Sequence, residues 1–312
     1  MSSFFHHFAL AAPLYFLVLV GFALVRWGRL PKSVSTALSR FVFSIALPAL
    51  LFHMMSGFSK LPPVDARLLV AFFGGCLIVF FIGRLVALTL FKLDGVSQSV
   101  FALGGIFSNN VLLGIPLAKS VLGDAALPAV ALVLVFNALI LWTLVTISVE
   151  WARHGSFSSS GFAKTARSVL TNPIVAAILA GALYGMLGLN LPGIIETPLA
   201  LMSQIAAPLS LIVVGMGMAE YGIRAGWRQS VAISTLKLVA QPLVVWGLAW
   251  ALGLQPLETR VVVLLSSLAV GVNVYLMSRH FKTLESPVAT SIVLTTMLSA
   301  LTTPLALSLV GA

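Results

Sequence analysis

Long stretches without any charged residue decide what this chain can fold into. Residues 2–25, 41–59, 95–118, 125–149, 168–195, 197–219, 261–278 and 286–312 contain no Asp, Glu, Lys or Arg. A helix that spans a bilayer needs about 20 mainly apolar residues, so each stretch is long enough to provide one. Only 8% of the chain is charged, whereas soluble domains carry about a quarter. The sequence therefore predicts a membrane protein.

Two further spans are predicted around single cations. Residues 68–91 enclose Arg84, and residues 229–252 enclose Lys237. The total is about ten spans. None of them alternates apolar and polar residues as the strands of a membrane β-barrel do, so the predicted fold class is an all-α membrane protein.

The cations outside the spans predict the orientation of the chain. If the N-terminus lies outside, the loops on the non-cytoplasmic face receive only Lys60, Arg67, Lys119 and Arg260, and most Lys and Arg residues lie inside. The positive-inside rule then places both termini outside. The net charge of +10 is a topology signal and predicts no nucleic-acid partner.

The two halves of the chain share a pattern at a constant offset of 160 residues. Pro13 and Pro173, Gly21 and Gly181, and Pro48 and Pro208 each follow this spacing. A polar, serine-rich linker at residues 153–166 separates residues 1–152 from residues 167–312. Each half holds five spans, so the second enters the membrane from the opposite side. Such inverted repeats are the design of many secondary transporters, and they predict alternating access.

The fourth span contains residues that disfavour a continuous helix. Ser108, Asn109, Asn110, Gly114 and Pro116 lie within nine residues of one another. A proline kink packed against a neighbouring helix is one explanation. A discontinuous helix is favoured because two side-chain amides beside the break would be costly against lipid.

The ninth span holds the equivalent polar residues of the second half: Ser266, Ser267, Gly271, Asn273 and Tyr275. It has no proline, so its break is predicted on weaker grounds. If both spans unwind at mid-membrane and cross, two helix N-termini and several amides surround one point. Such a site suits an anion such as a carboxylate.

These two segments carry a resemblance to a known family. The stretch from Asn109 to Leu117, NNVLLGIPL, and the stretch from Ala269 to Tyr275, AVGVNVY, resemble the mid-membrane segments of the auxin efflux carriers. That family includes plant PIN-type carriers and bacterial malate or malonate permeases. The chain departs from the pattern at Val111, where many members have Gly, and at Ser267-Leu268, where a Pro often precedes the second Asn.

The resemblance implies a scaffold domain and a transport domain whose broken helices cross at the substrate site. It implies that Asn109 and Asn273 hold the substrate carboxylate or polarise the pocket, and that Gly114, Pro116 and Gly271 set the backbone bends. It also implies a homodimer through the scaffold helices, where residues 181–188 are rich in Gly and Ala. The short linker is typical of bacterial members, which indicates a multi-pass protein of a bacterial inner membrane.

Other polar residues within the spans have two explanations each. Arg84 and Lys237 either snorkel to the cytoplasmic interface or attract an anionic substrate, and Gln241 lies one turn beyond Lys237 on the same face. Asn137 and Gln204 either line the site or form hydrogen bonds between helices. Candidate substrate-binding residues are therefore Ser108, Asn109, Asn110, Gly114, Pro116, Asn137, Lys237, Gly271 and Asn273.

The predicted function is a secondary transporter of a small organic anion: a carboxylate, a dicarboxylate such as malate or malonate, or an auxin-like acid. The alternative is a sodium-coupled symporter of the bile-acid type. All eight Asp and Glu residues fall in loops or at span ends, so no central carboxylate is available for proton coupling. The dispersed histidines, the single cysteine and the absence of phosphate-binding or nucleophile motifs predict no metal, no cofactor and no enzyme activity.

Overall fold

The computed structural model describes residues 2–28, 31–57, 64–154, 173–221 and 226–311. In the first half the helices are α1 (Ser2–Arg26), α2 (Lys32–Phe41), α3 (Leu47–Ser56), α4 (Arg67–Phe91), α5 (Gly95–Gly104), α6 (Ile115–Leu122) and α7 (Leu127–His154). In the second half they are α8 (Pro173–Met186), α9 (Gly193–Tyr221), α10 (Trp227–Thr235), α11 (Gln241–Ala251), α12 (Pro256–Ser267), α13 (Val272–Phe281) and α14 (Glu285–Val310). These described residues form no β-strand, which confirms the all-α prediction.

Seven helical stretches in the described ranges are long and apolar enough to cross a membrane. They are Phe4–Arg26, Ser33–Ser56, Arg67–Phe91, Asp124–Arg153, Gly193–Ala219, Trp227–Ala251 and Glu285–Val310. The other three predicted spans are shorter here for identifiable reasons. Residues 95–118 and 261–278 are interrupted, and the sixth span is described only from Pro173 onward.

Large apolar side chains cover the outside of the bundle. Phe16 in α1, Phe81 in α4 and Trp250 in α11 expose 64%, 65% and 81% of their surface. In water such faces would be costly, but the hydrocarbon core of a bilayer solvates them. The protein is therefore a multi-pass membrane protein.

Each π-helical turn of the described chain ends two residues before a proline. The turns are Val42–Ala46, Asn110–Gly114 and Leu236–Ala240, and the prolines are Pro48, Pro116 and Pro242. A proline has no N–H for the preceding turn, and its ring clashes with the carbonyl four residues before it. Widening that turn relieves the clash, so the helix continues through a proline that would otherwise end it.

Two glycines allow helices from opposite halves of the chain to pack with their backbones in direct contact. At Gly21 in α1 an added Cβ would collide with the backbone of Ile212 in α9. At Gly181 in α8 an added Cβ would lie 2.7 Å from the carbonyl oxygen of Phe52 in α3. Gly21 and Gly181 are 160 residues apart, and so are Phe52 and Ile212. The predicted linker at residues 153–166 falls, apart from its first two residues, outside the described chain.

Candidate functional site

The two interrupted spans pair with each other at their breaks. Helix α5 ends at Gly104 and the next helical turn begins at Asn110, while α12 ends at Ser267 and α13 begins at Val272. The Asn109 N–H donates to the carbonyl of Ala269 over 2.9 Å, and the Gly271 N–H donates to the carbonyl of Phe107 over 2.8 Å. Ser108 and Val270 thereby form an isolated antiparallel bridge.

This pairing satisfies backbone groups that a break would otherwise leave unbonded within apolar surroundings. The Val270 N–H donates outward to the Thr295 hydroxyl of α14 over 3.0 Å. Non-helical backbone at membrane depth is tolerated only where protein or water provides such partners. Gly271 also permits the close approach, because a Cβ there would lie 3.0 Å from the Ser108 carbonyl oxygen.

A cavity of about 260 Å³ opens beside the paired breaks. It is lined by Phe43, Phe107, Ser108, Asn109, Asn110, Val111, Leu112, Leu134, Asn137, Ile174, Val175, Gly271, Val272, Asn273 and Leu276. The lining combines an apolar wall with four asparagine amides and one hydroxyl, and none of these residues is charged. Its volume is below the roughly 300–1,000 Å³ of sites for drug-sized ligands, which suits a small solute.

Two helices begin at this cavity. The helical segment Asn110–Leu122 and helix α13 both start with residues of the lining. The first N–H groups of a helix have no partner within it, and the helix dipole adds partial positive charge at the same end. Both effects make the cavity favourable to a negative group, without any cationic side chain among its lining residues.

Asn110 provides the most buried amide of the site. Its side chain is 1% exposed, and its Nδ2 lies 3.5 Å from Oδ1 of Asn137 in α7. Its Oδ1 and the Ser108 hydroxyl have no hydrogen-bond partner within the described chain. A buried polar atom without a partner costs free energy, so a bound solute with a hydroxyl or N–H group would relieve both.

Six of the nine predicted binding residues line the cavity: Ser108, Asn109, Asn110, Asn137, Gly271 and Asn273. Gly114, Pro116 and Lys237 do not. Gly114 and Pro116 follow the interruption of residues 105–109 and have helical backbones, with Pro116 as the second residue of α6. Gln204, considered from the sequence, is exposed in α9 and is also outside the lining.

Lys237 bonds to the chain next to the paired breaks but does not line the cavity. It is completely buried, and its Nζ donates to the Ser266 carbonyl over 2.5 Å and to Gln241 Oε1 over 2.6 Å. The Gln241 Nε2 in turn donates to the Ile106 carbonyl over 2.8 Å. Of the two explanations offered for Lys237, snorkelling to the interface is therefore wrong, and the residue is not part of the cavity lining either. Arg84, the other cation within a span, donates to the side chains of Ser148 and Gln98 and does not bond to the paired breaks.

No pattern in the sequence predicted the apolar wall of the cavity. Phe43, Leu134, Ile174 and Leu276 come from four different helices and resemble any other apolar residue of a span. Phe107, Val111 and Val272 could have been anticipated, because each directly neighbours a predicted polar residue or bend. Long-range packing alone selects the others.

The family model described as "Membrane transport protein" matches residues 6–307. The chain belongs to this family. The resemblance to auxin efflux carriers that residues 109–117 and 269–275 carry is thereby confirmed. The protein is a membrane transporter, and its substrate is a small molecule.

Relatives match along most of their length. A protein of Rhizobium meliloti (strain 1021) named "Putative malonate transporter" is 25% identical over 297 residues, covering 94% of this chain and 92% of the relative. An uncharacterized transporter of Methanocaldococcus jannaschii is 25% identical over 299 residues, covering 91% and 92%. Another, of Methanothermobacter thermautotrophicus, is 25% identical over 257 residues, covering 81% of each chain.

Proposed function

We propose that the protein is a secondary transporter that moves a small carboxylate or dicarboxylate, such as malonate or malate, by alternating access. The observation that carries this proposal is the convergence of two helix N-termini and four asparagine amides on one small uncharged cavity. A carboxylate accepts hydrogen bonds and carries negative charge, so it complements both features.

The uncharged lining favours release of the bound solute over tight binding. A buried cation would hold an anion strongly and slow its release, whereas amides and helix termini offer several weaker charge-assisted hydrogen bonds. Under this proposal the Asn109 and Asn273 amides bind the carboxylate, and Asn137 orients Asn110. The Asn110 Oδ1 and the Ser108 hydroxyl then bind a hydroxyl or N–H group of the solute. Gly271 keeps the two breaks in contact, while Gly114 and Pro116 shape the turn behind Asn110.

We further propose that the fold is a ten-span inverted repeat of residues 1–152 and 167–312, with both termini outside a bacterial inner membrane. The matched close contacts of Gly21 with Ile212 and of Gly181 with Phe52 support it, because they relate equivalent positions of the two halves. So do the two breaks, which lie in corresponding spans and pair with each other.

The packing of the helices supports the proposed scaffold domain and transport domain. Helix α1 packs along α9 and α3 packs against α8, which suits a scaffold domain. Helices α4 and α11 pack against each other and flank the two broken spans, which suits a transport domain. The cavity lies between these groups, since Phe43 and Ile174 come from the first and Asn110 and Asn273 from the second. Movement of one group past the other would expose the cavity to each side in turn.

The sodium-coupled alternative predicts a different ligand response. The test is thermal stabilisation of the purified protein by malonate, malate, succinate, acetate and indole-3-acetate, in sodium and in choline salts. We expect one carboxylate class to raise the apparent Tm, and a concentration of 100 times Kd corresponds to about 2.7 kcal/mol. The shift should disappear in Asn109→Ala and Asn273→Ala and persist in Gln204→Ala, which alters an exposed amide.

Two outcomes would contradict the proposal. If no carboxylate stabilises the protein, the anion assignment fails. If both asparagine variants respond like the parent protein, the site assignment fails although the substrate class stands. A carboxylate response that requires sodium would favour the symporter.

A further inference from the structure

Helix C-termini meet Lys237 next to the paired breaks. Helix α5 ends at Gly104, two residues before the Ile106 carbonyl, and α12 ends at Ser267, one residue after the Ser266 carbonyl. Carbonyl groups at a helix C-terminus carry partial negative charge and need donors. The paired breaks therefore have a positive side at the cavity and a negative side at Lys237.

Lys237 and Gln241 bond to both negative ends at once. The Lys237 amino group contacts the end of α12 through Ser266, and the Gln241 amide contacts the chain after α5 through Ile106. The two side chains are joined to each other over 2.6 Å. Together they link the first halves of both broken spans from one turn of a third helix.

No carboxylate in the described chain lies within ion-pair distance of Lys237. Its acceptors are a backbone carbonyl and an amide oxygen. Uncharged oxygens of this kind, beside helix C-termini at mid-membrane, are also the ligands with which transporters hold coupling cations such as Na⁺.

We propose that Lys237 is a built-in cation. Its ammonium group takes the place between the two helix C-termini that a bound sodium ion would otherwise occupy, so the protein holds its broken spans together without sodium. This assigns Lys237 as a positioning residue for the breaks, not a group that contacts the substrate. The inference is independent of which anion is transported, because its test needs no substrate.

The test is the apparent Tm of purified protein in sodium, potassium and choline chloride at equal ionic strength. We expect the parent protein to unfold at the same temperature in all three salts. Lys237→Ala should unfold several degrees lower in choline, and sodium should restore part of the loss, because the vacated space retains the Ser266 and Gln241 oxygens. Arg84→Ala is the matched control: it removes the other intramembrane cation and should create no sodium response.

Lys237→Gln covers the case in which the alanine variant does not fold. It removes the charge, is one atom shorter than lysine and adds an amide oxygen beside those of Ser266 and Gln241, so it too should become sodium-responsive. A parent protein stabilised by sodium over choline would overturn the proposal, because a cation site would then exist elsewhere. Folded Lys237 variants with equal Tm in all three salts would overturn it as well.

Discussion

The Ser210 hydroxyl in α9 reaches the backbone carbonyl of Leu112 over 3.0 Å, and it shares its single hydrogen with the Ala207 carbonyl of its own helix over 2.7 Å. Leu112 lies four residues before Pro116, which has no N–H to offer that carbonyl. A side chain from one half of the protein thus satisfies a group that a proline frees in the other half, at a residue that also lines the cavity.

Replacing Ser210 with Ala should destabilise the protein by about 1 kcal/mol, the typical net value of a hydrogen bond. We expect the apparent Tm to fall by about 2 °C in a thermal scan of purified protein, because the shift per kcal/mol becomes smaller as a chain becomes longer. Ser308→Ala is the control, since the exposed Ser308 hydroxyl bonds only to the Leu305 carbonyl of its own helix. Equal Tm values for the two variants would contradict this account.

Gly271→Ala should separate the paired breaks. The new Cβ would lie 3.0 Å from the Ser108 carbonyl oxygen and 3.1 Å from Phe107, and backbone cannot move aside cheaply. Overpacking of this kind costs about 1–3 kcal/mol, and we expect a lower Tm together with weaker carboxylate binding. Gly247→Ala, in α11, is the matched control because no atom lies within 4 Å of the added Cβ. A Gly271 variant with unchanged Tm and binding would show that the close contact is unimportant.

Gly21→Ala and Gly181→Ala should have similar effects, because the two glycines lie 160 residues apart and each allows the same kind of backbone contact. Each substitution should lower the apparent Tm, at a cost of about 1–3 kcal/mol. Gly57→Ala serves as the comparison, since the nearest atom to its added Cβ is 3.9 Å away. A large loss in one variant and none in the other would argue against equivalent packing of the halves.

Asp94 caps the N-terminus of α5 and should make stability depend on pH. Its carboxylate accepts from the Val96 and Ser97 N–H groups and from the Ser97 hydroxyl, and the bond from that hydroxyl is the main cause that lowers its pKa. A lowered folded-state pKa means that the stabilisation is present above the unfolded value of about 3.9 and is lost as pH falls through the folded value.

Asp94→Ala should therefore lower the apparent Tm near neutral pH, by an amount that corresponds to about 1 kcal/mol for a lost N-cap. The gap between variant and parent should narrow as the pH is lowered below 4 in a series of thermal scans. Asp94→Asn keeps a capping oxygen and should retain most of the stability at neutral pH. A gap that stays constant with pH would exclude the carboxylate as its source.

The positions of the membrane helices could be predicted from the sequence because the bilayer fixes their length and excludes charge. The interruptions of the fourth and ninth spans were also predictable from Asn, Gly and Ser residues at mid-span. Asn109 and Asn110 predicted the first break at its observed place, since the chain leaves the helix at residues 105–109. Pro116, which also suggested a break, lies instead inside the helical segment Asn110–Leu122, where the π turn before it relieves its clash.

The surroundings of Lys237 show why the rest could not be predicted. Its spacing to Gln241 is local and visible in the sequence, but its bond to Ser266 joins residues 29 positions apart. Likewise, Ser210 is one of many serines in the spans, and only its packing beside Leu112 selects it. Long-range contacts of this kind depend on how helices pack, which hydropathy and helix-breaking residues do not encode.

The absence of charge from the cavity lining has an electrical consequence. If the lining residues bring no compensating charge, each cycle of the proposed transporter moves the charge of its solute across the membrane. A dianion would then carry twice the current of a monoanion at the same turnover rate. Each elementary charge is worth about 2.3 kcal/mol per 100 mV. The membrane potential would therefore set the concentration ratio that each solute can reach across the membrane. The ratio for a dicarboxylate would be the square of the ratio for a monocarboxylate.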